Sequence, residues 1–287
     1  MEDTDTGKMA LVGSVLHPTD FSPASDRAFA HALAIALLRQ TEFTILHVGS
    51  GKESDVEWSR FPPVRKTLER WGLLEPGSPR SAVFDEFRVR VSKIAASGRR
   101  PIQEAAAVVD DYMPDLIVLA TEGRDGWARW FNRSDAEAIA RWSKTMTLFV
   151  PADARRGLVS LENGDLTLKN ILVPMDAVPD CTAAVEFARR TAEMLVEGNV
   201  NITLLHIGDD APPAPKLDEG AGWTFISEQR QGDPVAEILS AADSRAADLI
   251  VMATAGHDGV LDALRGNTTE QVLRGAPCPL LAVPAGH

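Results

Sequence analysis

Short runs made wholly of apolar residues recur along the chain, each bounded by polar residues and separated from the next by stretches of helical period. Asp115 is followed by Leu-Ile-Val-Leu119 and Asp248 by Leu-Ile-Val-Met252. Ser14-Val-Leu-His17, Thr44-Ile-Leu-His-Val48, Ile171-Leu-Val-Pro174 and Ile202-Thr-Leu-Leu-His-Ile207 have the same character. Runs this short and this apolar fill strands buried on both faces. Between them, Thr19-Asp20-Phe21-Ser22-Pro23 reads as a turn into a helix, with Ser22 as N-cap and Pro23 at the first helical position. The helix from Ala24 to Leu38 is apolar around much of its circumference, so it is predicted to be well covered. A matching helix is predicted from about Pro179 to Leu195. Strands that alternate with helices specify an α/β fold, a parallel sheet with helices on both faces.

The pattern is also a repeat. Asp115-Leu-Ile-Val-Leu-Ala-Thr-Glu-Gly-Arg-Asp-Gly126 returns 133 residues later as Asp248-Leu-Ile-Val-Met-Ala-Thr-Ala-Gly-His-Asp-Gly259, with nine of twelve positions the same. The offset holds without a gap from Pro101/Pro234 to Ala152/Ala285. Agreement at that level marks an internal duplication. After each loop comes a helix N-cap with Glu three residues on, Ser134-Asp-Ala-Glu137 and Asn267-Thr-Thr-Glu270, each able to close a capping box. Thr147-Leu-Phe-Val150 and Leu280-Leu-Ala-Val283, each followed by Pro-Ala, read as closing strands. The organisation expected is a first domain over 1–152, a linker over 153–168 and a second domain over 169–287. The first half carries extra chain at about 50–100, since 53 residues separate His47 from Pro101 but 27 separate His206 from Pro234. Within it Val64, Leu68 and Trp71 share one helical face, which suits a helix packed over its own domain or a lid or interface element.

At 287 residues each half is long enough to bury a core. The net charge of −12 argues against nucleic acid and anionic membranes as partners, because both select basic surfaces. No apolar run is long enough to span a bilayer, and the start is acidic where a signal peptide is basic, so a soluble cytoplasmic protein is expected. Cys181 and Cys278 are too few and too far apart for a disulfide scaffold and are expected as free thiols. The histidines show no short metal-ligand spacing, and no metal site is expected. Phosphate-loop, dinucleotide and nucleophile-elbow motifs are absent from the sequence, and no catalytic residue stands out. Asp125 and Asp258 beside the repeated loop suit a solvated turn better than a metal-bound water.

The ordered elements, with Pro18-Thr-Asp20-Phe-Ser22, strands ending Leu-His-Val48 and Leu-His-Ile207, and the closing Ala276-Pro-Cys-Pro-Leu-Leu-Ala-Val283, resemble the universal stress protein family in tandem form over nearly the whole chain. The resemblance implies two tandem open parallel five-stranded sheets of strand order 3-2-1-4-5, with helices on both faces. It also implies a pseudo-two-fold pairing of the halves along their last strands. ATP or AMP would lie across the carboxyl ends of the first and fourth strands, at the switch point of the strand order.

ATP-binding members resemble one another in a loop Gly-x2-Gly-x9-Gly-Ser/Thr. The second half reads Ala253-x2-Gly256-x9-Gly266-Asn267-Thr268. Backbone N–H groups beside glycines, at the positive end of a helix, suit phosphate. The resemblance thus assigns a nucleotide site to Asp176, Ile207, Ala253, Gly256, Gly266, Asn267 and Thr268. Asp176 would receive the adenine or ribose side and the backbone at Ile207 the adenine edge, with Mg²⁺ accompanying ATP. The first half reads Ala120-x2-Gly123-x9-Arg133-Ser134, and Arg133 either occludes the loop or neutralises a phosphate. Asp20, Val48, Gly123, Arg133 and Ser134 form at most a weak or degenerate second site. The function expected is an adenine-nucleotide-binding stress-response or regulatory protein, non-catalytic or a slow ATP hydrolase, able to form homo-oligomers. The alternative is an interaction scaffold that binds no nucleotide.

Overall fold

The computed structural model describes residues 12–49, 57–98, 101–121, 145–176, 180–194, 199–209, 222–254 and 268–284. The first half runs β1 (Ser14–Pro18), α1 (Pro23–Arg39), β2 (Glu42–Gly49), α2 (Val64–Arg70), α3 (Ala82–Phe87), β3 (Arg90–Ser97), α4 (Pro101–Tyr112), β4 (Leu116–Thr121) and β5 (Met146–Pro151). The second runs β6 (Asn170–Met175), α5 (Thr182–Met194), β7 (Val200–Ile207), β8 (Trp223–Arg230), α6 (Pro234–Ser244), β9 (Leu249–Thr254), α7 (Thr268–Gly275) and β10 (Leu280–Pro284).

Each half has the strand order 3-2-1-4-5 with parallel pairing, as the resemblance implies. The two expected sheets are, however, one. The order β3-β2-β1-β4-β5-β10-β9-β6-β7-β8 is a continuous ten-stranded sheet, closed at its centre by antiparallel pairing of β5 with β10, Leu280 opposite Phe149 and Leu281 opposite Leu148. Each closing strand would otherwise present an unpaired apolar edge, and the seam covers both.

The cores follow the sheet rather than the halves. On one face α1 and α5 pack in a cluster that crosses the seam through Leu148 and Leu281, and on the other α4, α6 and α7 cover Phe149 and Leu280. The side chains of the closing strands alternate between these clusters, as the two-residue period of a strand requires. Helix α1 begins where expected: Ser22 Oγ accepts from Ser25 N at 3.2 Å, and Pro23 opens the first turn. Its buried Ala28, Ala32 and Ala36 let the helix lie close on the sheet. Asp233 and Pro234 start α6 in the same manner.

The repeated Asp that precedes β4 and β9 is a structural tie. Asp115 Oδ2 accepts from Gly13 N at 2.8 Å and Asp248 Oδ2 from Lys169 N and Asn170 N at 2.9 and 3.0 Å. Each carboxylate holds the entry of its half's first strand to that of its fourth.

The extra chain of the first half packs inward. Val64, Leu68 and Trp71 are all buried, as the one-face spacing predicts, and Trp71 Nε1 donates to Leu161 O at 3.2 Å. Gly164 meets the same ring with φ 76°, where a Cβ would fall 2.5 Å from Trp71 Cε3, so only glycine fits. The connecting segment is clamped to both halves. His31 on α1 takes the Leu158 N–H, and Arg156 donates to the Ala242 and Ala247 carbonyls. The edge strand β3 lies inside the stretch 50–100 that reads as extra chain.

Candidate functional site at the strand ends

In a parallel sheet all carboxyl strand ends emerge on one rim, and the antiparallel seam points the two rims in opposite directions. At each rim the order reverses between the first and fourth strands, and there the pairing is shortest. β1 meets β4 through Val15–Leu116 and Leu16–Ile117, and β6 meets β9 through Ile171–Leu249 and Leu172–Ile250. By contrast β4 and β5 are in register over six positions and β7 and β8 over eight. The strands therefore splay toward their carboxyl ends, opening a crevice where α/β sheets bind ligands.

In the second half Asp176 just follows β6, Ile207 ends β7, Ala253 is next to last in β9 and Thr268 is the first residue of α7. Met175 is level with His206, which sets Asp176 level with Ile207. Gly256, Gly266 and Asn267 lie outside the described residues, as does Asp258. At the first rim Asp20 follows β1 and stands level with Val48 of β2 through the Pro18–Leu46 register. Gly123, Arg133, Ser134 and Asp125 lie outside the described residues.

Both rims share a device that the spacing of the histidines does not announce. A His near the end of the second strand is bonded to a carbonyl at the end of the first, His47 Nδ1 to Thr19 O at 2.8 Å and His206 Nδ1 to Met175 O at 3.3 Å. A carbonyl only accepts, so each Nδ1 carries a proton there. The repeated Leu-His at the ends of β2 and β7 is the signal that marks this pair.

The surroundings of the two imidazoles differ. His47 is stacked on Phe21 with centroids 4.0 Å apart, Phe61 packs edge-on against both rings, and Trp58 stacks on Phe61 at 5.2 Å. The Arg60 guanidinium lies 4.7 Å over Phe21. Phe21 holds φ 64°, which costs a bulky residue about 1–2 kcal/mol. Its ring contacts, and its N–H donated to Thr19 Oγ1, offset that cost. Asp20 Oδ1 accepts from Ser22 N, turning the chain into α1. His206 is buried at the second rim with no aromatic ring stacked on it among the described residues, where its Nε2 also has no partner.

Beneath the first rim lies a buried polar trio. His17 Nδ1 donates to Val118 O at 2.9 Å, and Ser25 Oγ lies 3.3 Å from His17 Nε2 and 2.8 Å from Thr19 Oγ1. Burial pushes the His17 imidazole down to about 4, so it is neutral. The positions equivalent in the second half are Val173, Cys181 and Met175, all apolar or weakly polar and all buried. Cys181 and Cys278 are free and buried. Burial raises both thiols, Cys278 to about 12, which keeps them protonated. Among the described residues no group of His, Cys, Asp and Glu side chains could hold a metal ion, and no helix is long and apolar enough to cross a membrane.

Comparison with known proteins agrees with this architecture. The sequence model of the Universal stress protein family matches residues 12–151 and 216–284. A universal stress protein of Methanocaldococcus jannaschii is 27% identical over 150 residues, 43% of this chain and 86% of the relative. The crystal structure of a universal stress protein from Archaeoglobus fulgidus superposes with a TM-score of 0.60 at 17% identity, covering 95% of this chain and 96% of that one. A universal stress protein crystallised in complex with cAMP aligns with 42% of this chain and 98% of its own at 20% identity, with a TM-score of 0.32. At 17% identity the superposition on the Archaeoglobus fulgidus structure speaks for the fold. The family match covers most of the sequence and enters both halves of the doubled sheet: the chain belongs to the universal stress protein family.

Proposed function

We propose that the second half binds an adenine nucleotide, ATP or AMP, in the crevice between the carboxyl ends of β6 and β9, and that the bound state serves as a regulatory signal. The observation that carries this reading is the splayed β6–β9 pair, with the buried His206 Nε2 unpartnered among the described residues beside it. A buried polar atom without a partner at the strand ends suits a ligand that brings its own polar groups. Asp176, level with Ile207, stands where ribose hydroxyls and the adenine edge would be read. Thr268 opens α7 where the helix's positive end favours phosphate. Gly256, Gly266 and Asn267 would complete the phosphate loop on the sequence pattern, and Mg²⁺ would accompany ATP on its phosphates. The first rim is read as a scaffold, since Phe21 stacks on His47, and Phe61 and Trp58 pack against them.

Mass spectrometry of small molecules released from freshly purified protein tests the reading. Recovery of ATP or AMP near one equivalent per chain is expected. Protein that yields no nucleotide and takes up none afterwards would favour the pure scaffold. Steady phosphate release from added ATP would shift the reading to a slow hydrolase.

A further inference from the structure

Beside the aromatic cover of the first rim, with Trp58 in its lining, the extra chain of the first half and the outer edge of the sheet form a cleft of about 720 Å³. Helix α2 supplies Arg65 and Lys66, the segment before α3 supplies Arg80, and β3 supplies Arg90 and Lys93. Val64, Val83, Val89 and Val91 form the floor, and among the described residues no Asp or Glu lines the space. Five cations gathered in one concavity are unexpected on a chain of net charge −12. Glu69 lies 3.5 Å from Arg65 and Glu42 lies 3.8 Å from Arg90, both outside the lining. Lys66, Arg80 and Lys93 have no carboxylate at ion-pair distance among the described residues.

Aromatic rings hold the charges in place. The Arg90 guanidinium lies 5.5 Å over the Phe84 ring and the Lys93 ammonium 5.6 Å over Phe61, contacts that orient long side chains before a ligand arrives. Partial burial and the neighbouring Arg80 charge push the Lys93 ammonium below its ordinary value. An anion in the cleft would relieve that repulsion.

We propose that this cleft is a second binding site, for a small oligophosphate anion that the uncompensated Lys66, Arg80 and Lys93 neutralise together. Its volume falls within the range of small-molecule sites, about 300–1,000 Å³. The chain's overall negative field disfavours an extended polyanion such as nucleic acid. Arginine forks and lysine point charges together match the two or three clustered phosphates of such a molecule.

Calorimetry of the full chain with inorganic tripolyphosphate, and separately with AMP, tests this. One tripolyphosphate is expected per chain, with affinity falling as salt rises from 50 to 200 mM. The triple variant Lys66→Ala, Arg80→Ala, Lys93→Ala should weaken tripolyphosphate at least tenfold, with thermal unfolding and AMP binding preserved. Lys93→Arg, which keeps the charge, should retain tripolyphosphate affinity, and so should Asp176→Ala at the other rim. The proposal is overturned if the wild type takes up no tripolyphosphate at millimolar concentration. It is equally overturned if the triple variant binds as the wild type does, or if Asp176→Ala abolishes the binding.

Discussion

The two halves repeat one backbone and finish it differently. Positions that build the sheet correspond closely: the Asp115 and Asp248 ties, the Leu148 and Leu281 seam contacts, and the His47 and His206 bonds to the carbonyl ending the neighbouring strand. Positions at the rim diverge. The first half buries His17, Thr19 and Ser25 beneath Phe21, Phe61 and Trp58, whereas the second buries Val173, Met175 and Cys181 and carries a His206 with no aromatic stack among the described residues. The difference teaches that duplication preserved what folds the chain and left the strand ends free to specialise. One rim packs against the extra chain, and the other is the one proposed above to bind nucleotide.

The strongest challenge to that contrast is acid. His17 and His31, both in the first half, are held near a pKa of about 4 by burial. The folded state therefore favours the neutral rings, and the associated stability is present above the unfolded value near 6.5. It is lost as pH falls from there through about 4. A 2.5-unit shift corresponds to roughly 3 kcal/mol for each histidine. Urea unfolding followed from pH 7 to pH 4 should show this loss, with amide exchange rising first around α1 and β1. His17→Val, which copies the second half, should remove about half of the acid dependence. An acid limb unchanged in that variant would remove His17 from the account.

Next in size is the aromatic cover. Phe61 is 1% exposed and touches Phe21, His47 and Trp58, so Phe61→Ala should cost roughly 3–5 kcal/mol. A loss below about 1 kcal/mol in denaturant unfolding would mean that the cover is peripheral. The smallest effect compares the helix starts that the halves build alike. Ser22→Ala and Asp233→Ala each remove one N-cap acceptor, and each should cost about 1 kcal/mol. Unequal costs, measured the same way, would show that the helix starts in the two halves are not energetically equivalent.

Much of this fold is legible in the sequence because its inner strands are buried on both faces. Leu116–Leu119 and Leu249–Met252 have no polar alternative, and Ser22-Pro23 is a local signal that needs no tertiary context. The edge strands β3 and β8 escape that reading. Each is half exposed, with polar residues such as Arg90, Ser92 and Lys93 or Glu228 and Arg230 interleaved, so neither forms an apolar run. The pairing of closing strands is foreseeable from their likeness, yet it also fuses the two expected sheets into one. The candidate site divides in the same way. Asp176 and Ile207 are assigned by the family resemblance of the strand ends. The Phe21–Phe61 cover joins residues forty positions apart, through ring contacts that no local pattern encodes.

The central claim is that nucleotide binding belongs to the second half alone. Calorimetric titration of AMP into ligand-stripped protein tests it most directly, comparing the wild type with Asp176→Ala, Gly266→Arg and Asp20→Ala. Gly266→Arg copies the Arg133 of the first half into the second. One site per chain is predicted, lost in Asp176→Ala and Gly266→Arg and unchanged in Asp20→Ala. Two sites in the wild type, none at all, or loss of binding in Asp20→Ala with the other variants unaffected would contradict the account.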